Sequence, residues 1–261
     1  MWAALAACVL ALSAATTASA APVGSDGWLK AGGSHFWDCS GGSCDAKTLQ
    51  PWDESKYIYS SQYAPLVPTE PVAGEHLWMT AAVSDSLAKL LGGSSDDAGA
   101  EGCGKCFLVR NAQAVNADWT ALVMKKNRCP PWSNGCEEGK LHIDLAVPAF
   151  DDLRYSTANT CGSPQKGDTF ISKANSGMCG QWYNNPDPTT AKDCDCSKLP
   201  SDTVEQKLLK TGCELFTQWN WTTTGAPQLD FKPVACPDAY VRYIDSAFGP
   251  NGPIAPQSAR R

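Results

Sequence analysis

A chain of 261 residues with 21 Lys and Arg against 27 Asp and Glu carries a net charge of -6 at pH 7 and a pI near 5.1. That balance argues against nucleic acid or an anionic membrane surface as a partner, and leaves neutral or cationic ligands open. Ten residues are Trp. Exposed indoles hold the apolar faces of sugars, although most Trp in a folded chain belong to the core.

In chain order, the first twenty residues, MWAALAACVLALSAATTASA, hold an apolar run too short to span a bilayer and end in Ala18-Ser19-Ala20, a small-x-small cleavage pattern. A signal peptide over residues 1–20 is expected, and with it a secreted, extracellular product. Later apolar runs are each broken by Gly, Pro or charge, so no membrane partner is expected. Loss of the leader removes Cys8 and leaves twelve cysteines, an even number that reads as disulfides in an exported chain. Zinc at Cys103-Gly-Lys-Cys106 is disfavoured because no His lies close to the pair, and no metal or cofactor is expected. Cysteines flank each Pro-containing stretch, so residues 21–248 read as one domain acting as a monomer, with a flexible tail over 249–261. Asn220-Trp221-Thr222 is a glycosylation sequon.

The apolar positions 77, 78, 81, 82, 87 and 91 form a rough stripe and predict a helix over Leu77 to Leu91. Short runs bounded by Gly, Pro, Asn or Asp follow: Lys105 to Arg110, Trp119 to Lys126, Leu141 to Leu145, Asp168 to Lys173, Leu215 to Trp221 and Pro227 to Val234. They predict strands of a barrel or sandwich. Asp202-Thr-Val-Glu205 is a capping box opening a helix that should end before Gly212. In the predicted strand Leu215 to Trp221, Trp219 and Trp221 share one face and Asn220 takes the other, so the indoles should point inward.

Three His, no Gly-x-Ser-x-Gly and no His-Glu-x-x-His leave carboxylates as the reacting groups. In LHIDL, strand alternation sends Leu141, Ile143 and Leu145 to one face and His142 with Asp144 to the other. A desolvated Asp144 would suit a general acid, with His142 to orient it; a solvated outer face is equally compatible with local rules. Asp38, between Trp37 and Cys39, fits a rigidly aimed general base, and fits a turn cap before Ser40-Gly-Gly42 as well.

FWDCSGGSC and HIDLAVP resemble the signature segments of glycoside hydrolase family 45 endoglucanases, and AGAEGCGKCFLV, CDCSKLP with KTGCELFTQWNW, and QLDFKPVACP continue the likeness in order. The resemblance implies a mainly β fold: a six-stranded double-psi β barrel with helical and loop insertions, stapled by disulfides. It implies a single catalytic domain and inverting hydrolysis of β-1,4-linked glucan, with Asp38 as general base and Asp144 as general acid. Glu137 (or its neighbour Glu138) and His142 would support the acid, and Phe36 and Trp37 would face substrate. It also implies the pairs Cys39–Cys161, Cys44–Cys103, Cys106–Cys236 and Cys196–Cys213, leaving Cys129–Cys136 and Cys179–Cys194 by elimination. Ser40 and Ala46 depart from the family pattern, as does Phe36 where Tyr is usual. A non-hydrolytic expansin-like or loosenin-like wall-binding protein is the alternative, and Asp38 speaks for the hydrolase.

Overall fold

Six strands close into a barrel in a computed structural model that describes residues 26–36, 44, 63–92, 101–148, 196–198, 201–202, 204–219 and 227–248. The strands are β1 (Leu29–Phe36), β2 (Leu77–Ser84), β3 (Cys106–Arg110), β4 (Thr120–Cys129), β5 (His142–Ala146) and β6 (Gln228–Val234), with helices α1 (Asp85–Leu91) after β2, α2 (Val204–Trp219) before β6 and α3 (Asp238–Phe248) after it. Around the ring they run β1-β5-β2-β4-β3-β6. The pairs β1–β5 and β2–β4 are parallel; the other four are antiparallel. Exchanging β1-β2-β3 with β4-β5-β6 maps the ring onto itself and one parallel pair onto the other. That internal two-fold, with its two interlocked parallel crossovers, is the topology of the expected double-psi barrel.

Alternate residues fill the interior. Met79, Val83, Phe107, Val123, Ile143 and Phe231 are fully buried in one cluster, and Phe107 meets Phe231 edge to face at 6.2 Å. The barrel's outer side divides in two. Over β2, β3 and β4 it is covered: Trp78, Leu108, Leu122 and Met124 pack under Tyr63, Leu209 of α2, and Tyr240 and Ile244 of α3. Trp78 stacks on Tyr240 at 4.8 Å, and the Tyr240 hydroxyl donates to the Met79 carbonyl at 2.7 Å. The Trp78 indole N–H donates to buried Glu75 at 3.0 Å. Burial pushes the Glu75 carboxyl up, but this bond and backbone N–H groups of Val72, Ala73 and Glu75 outweigh it and hold the group below its ordinary range. Over β1 and β5 the outer side carries Ser34, Phe36, His142 and Asp144 instead.

Among the described residues, disulfides join Cys44 to Cys103, Cys106 to Cys236, Cys129 to Cys136 and Cys196 to Cys213. Cys103 and Cys106 are therefore used in separate staples, which leaves no thiolate pair there for zinc. The expected pairs Cys39–Cys161 and Cys179–Cys194 lie outside the described residues, as do the leader, the tail, the Asp168–Lys173 strand and Asn220. Lys125 is fully buried, and its ammonium donates to the Glu101 carbonyl beside the Cys44–Cys103 staple.

Three local expectations are corrected. Leu77 to Leu91 is not one helix: Leu77–Ser84 is β2, and only Asp85–Leu91 is helical. All eight strand residues are buried, so the apolar run has no polar face from which to read a period. Ser84 makes the switch, its backbone extended and its hydroxyl accepting the Leu87 N–H at 3.3 Å as a helix cap. Leu215 to Trp219 is helical and not part of a strand, because α2 runs through Gly212 to Trp219. Gly212 is a contact point rather than a terminator: a Cβ there would stand 2.8 Å from Ala64 and 3.0 Å from Pro65. Strand alternation therefore does not set the direction of Trp219, and Trp221 lies outside the described residues. Trp219 is nevertheless fully buried, edge-on to Phe216 at 6.1 Å, as part of the helix's core stripe. Strand β1 and helix α3 were not foreseen.

Candidate active site

The site is a row of residues across the outer face. Register pairs Ser34 of β1 with Asp144 of β5, Asp144 with Ala82 of β2, and Ala82 with Asn127 of β4. Residues opposite one another in a sheet share a face, and the neighbours of Asp144, Ile143 and Leu145, fill the interior, so this row faces outward. A bulge brings in the fourth member. Ala81 pairs with Lys125 but Ala82 with Asn127, so Lys126 is the extra residue and Asn127 takes the place it would have had. Ala82 is small, which leaves space between the carboxylate and the amide.

Asp144 is half-buried and tied to its neighbours. The Ser34 hydroxyl donates to Asp144 Oδ1 at 2.8 Å, and Ser34 Oγ lies 2.7 Å from His142 Nε2. With its proton given to Asp144, the Ser34 oxygen accepts from the ring, so the network assigns the imidazole proton to Nε2. His142 is buried, and desolvation pushes its pKa down to about 4, an effect that the Glu137 carboxylate opposes only in part. The imidazole is neutral near pH 7. Its seat depends on two glycines: a Cβ at Gly32 would stand 2.8 Å from Nδ1, and one at Gly135 would stand 2.7 Å from Cε1. Gly135 also has a φ of +86°, which disfavours any other residue. Ser84 fixes the strand start, its hydroxyl accepting the His142 N–H at 3.1 Å and donating to the Lys140 carbonyl at 2.7 Å.

The loop from Cys129 to Cys136 walls one side. Its disulfide packs with Ala82 and against Phe36, whose register partner is Ala146. Phe36 therefore lies beside the row. Glu137 leaves the same loop half-exposed, with its carboxyl lowered by its own N–H and that of Gly135, and with Lys140 Nζ 3.6 Å away. Glu138 is exposed. Of the expected site residues, Asp144, His142, Glu137 and Phe36 are thus brought around one surface. Asp38 and Trp37 lie outside the described residues.

Sequence reasoning missed Ser34, Asn127 and the two glycines that seat His142. Ser34 had a usable signal, since it stands two residues before Phe36 and so on its face. Asn127 had none, because its position depends on the bulge.

Among the described residues no cluster of His, Cys, Asp and Glu could hold a metal ion. No helix among them is long and apolar enough to cross a membrane.

No family model matches the chain, and no curated protein matches it. Among solved structures, a cellulase from the Antarctic springtail Cryptopygus antarcticus is similar over 82% of this chain and 94% of its own, at 15% sequence identity and a TM-score of 0.48. A likeness of that size assigns neither activity nor residue roles. The class defined by the fold itself is a disulfide-stapled, mainly β barrel with a single half-buried carboxylate, Asp144, in a row on its outer face.

Proposed function

We propose that this chain is a secreted inverting endo-β-1,4-glucanase, cutting internal bonds of cellulose or a related β-glucan, with Asp144 as general acid and Asp38 as general base. The observation that carries the reading is the linked set on the outer face: a half-buried carboxylate, one hydroxyl and a buried neutral imidazole, next to an aromatic ring. The order of segments shared with family 45 endoglucanases adds to it.

In the reaction, Asp144 delivers its proton to the leaving glycosidic oxygen and becomes a carboxylate. The Ser34 hydroxyl, itself accepting from His142, then donates to that carboxylate and stabilises it as charge develops. The base takes a proton from water attacking the opposite face of the sugar, so the two carboxyl groups should stand roughly 6.5 to 9.5 Å apart. Chain connectivity is compatible with Asp38 in that role. Phe36 ends β1 opposite Ala146, and two further residues extend at most about 7 Å. Glu137, anchored in the loop and acting on His142 by its charge, is a supporting group.

The test is release of reducing ends from carboxymethyl cellulose or mixed-linkage glucan by the wild type and by Asp144→Asn. The wild type should cut, the variant should not, and proton NMR of fresh ends should show α-anomers. A fully active Asp144→Asn would remove the acid assignment, β-anomers would remove inversion, and a wild type inert on all β-1,4-glucans would favour a wall-binding protein.

A further inference from the structure

The loop Cys129–Cys136 presents a large apolar side chain to solvent. Trp132 is 80% exposed, an expensive position for an indole, which is usually mostly buried. A lone exposed Trp needs no explanation by itself. This one differs in how firmly its loop is held.

The Cys129–Cys136 disulfide closes the loop across seven positions of sequence. Inside the ring the Ser133 N–H donates to the Pro130 carbonyl at 2.9 Å and the Cys136 N–H to the Ser133 carbonyl at 3.0 Å, while Pro130 and Pro131 restrict φ. Beneath the indole, the Arg128 guanidinium lies 5.6 Å from the ring centroid. Arg128 is fixed in turn by two parallel bonds to Asp85, at 2.8 and 2.7 Å. Those bonds hold the Asp85 carboxyl below its ordinary range. One face of the indole is thus backed by an immobilised cation, and the other is left to solvent. A rigid aromatic surface loses little entropy when a ligand settles on it.

The loop also has a direction. Its disulfide packs on Ala82 and Phe36, and its Gly135 lies against His142, so the wall that carries Trp132 is continuous with the Asp144 row. Phe36 and the disulfide pack together beside that row, and Trp132 rises from the loop that the disulfide closes. The ligand chemistry that fits is a neutral sugar ring of an extended β-glucan, its C–H face laid on the open side of the indole.

We propose that Trp132 is an outlying sugar-binding platform, stacking a glucosyl unit of a chain whose scissile bond lies at Asp144. The inference rests on the glucanase reading for its substrate class. Trp132 touches no reacting atom, so its contribution belongs to binding of long chains and not to bond cleavage.

The test compares wild type, Trp132→Ala and Trp132→Tyr in two assays. In the first, cellohexaose and cellotriose are titrated into each protein carrying the additional change Asp144→Asn, with binding followed by calorimetry. In the second, KM and kcat are measured on mixed-linkage glucan. Trp132→Ala should weaken cellohexaose by about tenfold and raise KM to a similar extent, with kcat and the melting temperature unchanged; Trp132→Tyr should keep most of the affinity. Cellotriose should show a smaller loss, because a short chain need not reach the platform. Unchanged hexaose affinity and KM in Trp132→Ala would overturn the platform while leaving the glucanase standing. Binding that depends on Trp132 without hydrolysis by the wild type would leave the platform standing and overturn the glucanase.

Discussion

The two halves of the barrel's outer side use the same strand alternation for different ends. Over β2, β3 and β4, outward residues such as Trp78, Leu122 and Met124 are apolar and lie beneath α3, part of α2 and Tyr63. Over β1 and β5, outward residues are Phe36 and the set Ser34, His142 and Asp144, which hydrogen bonds join across the strands. The interior supports both halves equally. What separates them is whether a helix is laid on top, so the packed apolar groups and the linked polar groups occupy different parts of the same outer side. A buried polar set is kept only where every member finds a partner, and the Ser34 bridge supplies one to both His142 and Asp144.

That division can be broken by substitution. The largest effect expected is on the open half: Asp144→Asn should lower kcat on a soluble β-glucan by about 10²- to 10⁴-fold, with a melting temperature close to wild type. A large loss of stability with activity intact would place Asp144 with the structural half. On the covered half, Trp78→Ala should cost about 3–5 kcal/mol in denaturant unfolding, since it empties a packed site and strips buried Glu75 of a donor. The folded fraction should keep its KM.

A third prediction uses His142, which lies between the two behaviours. Its folded pKa of about 4 is below the unfolded value near 6.5, so between these values the unfolded chain binds a proton that the folded chain refuses. Stability from this group is fully present above pH 6.5, falls as pH drops through the window by on the order of 3 kcal/mol, and levels off below about pH 4. His142→Gln, which can still donate to Ser34, should flatten that part of the curve in denaturant titrations from pH 7 to pH 4. An unchanged slope would place the acid sensitivity elsewhere. The smallest effect belongs to Ser34→Ala: about a tenfold loss of kcat with little change in KM, because the hydroxyl acts on Asp144 and not on substrate binding. A rise in KM alone would make Ser34 a substrate contact.

Much of the barrel was legible from local pattern. The segments around Cys106–Arg110, Thr120–Cys129, His142–Ala146 and Gln228–Val234 are short, rich in strand formers and bounded by turn residues, and each is a strand. Leu77–Ser84 was not legible because burial on both faces erases the period, and Gly212 misled because a glycine that admits a neighbour looks in sequence like one that ends a helix. At the site, alternation alone placed His142 and Asp144 on one face. It left open whether that face was wet or wired.

The sequence by itself therefore determined four of the six strands, the joint direction of His142 and Asp144, and cysteines fit for stapling, all of which follow from local period and composition. Only the tertiary structure decided that Ser34 stands between His142 and Asp144, that a bulge sets Asn127 in their row, and that Gly32 and Gly135 leave space for the imidazole. Those relations join residues from separate strands. They depend on register and ring closure, which no single segment encodes.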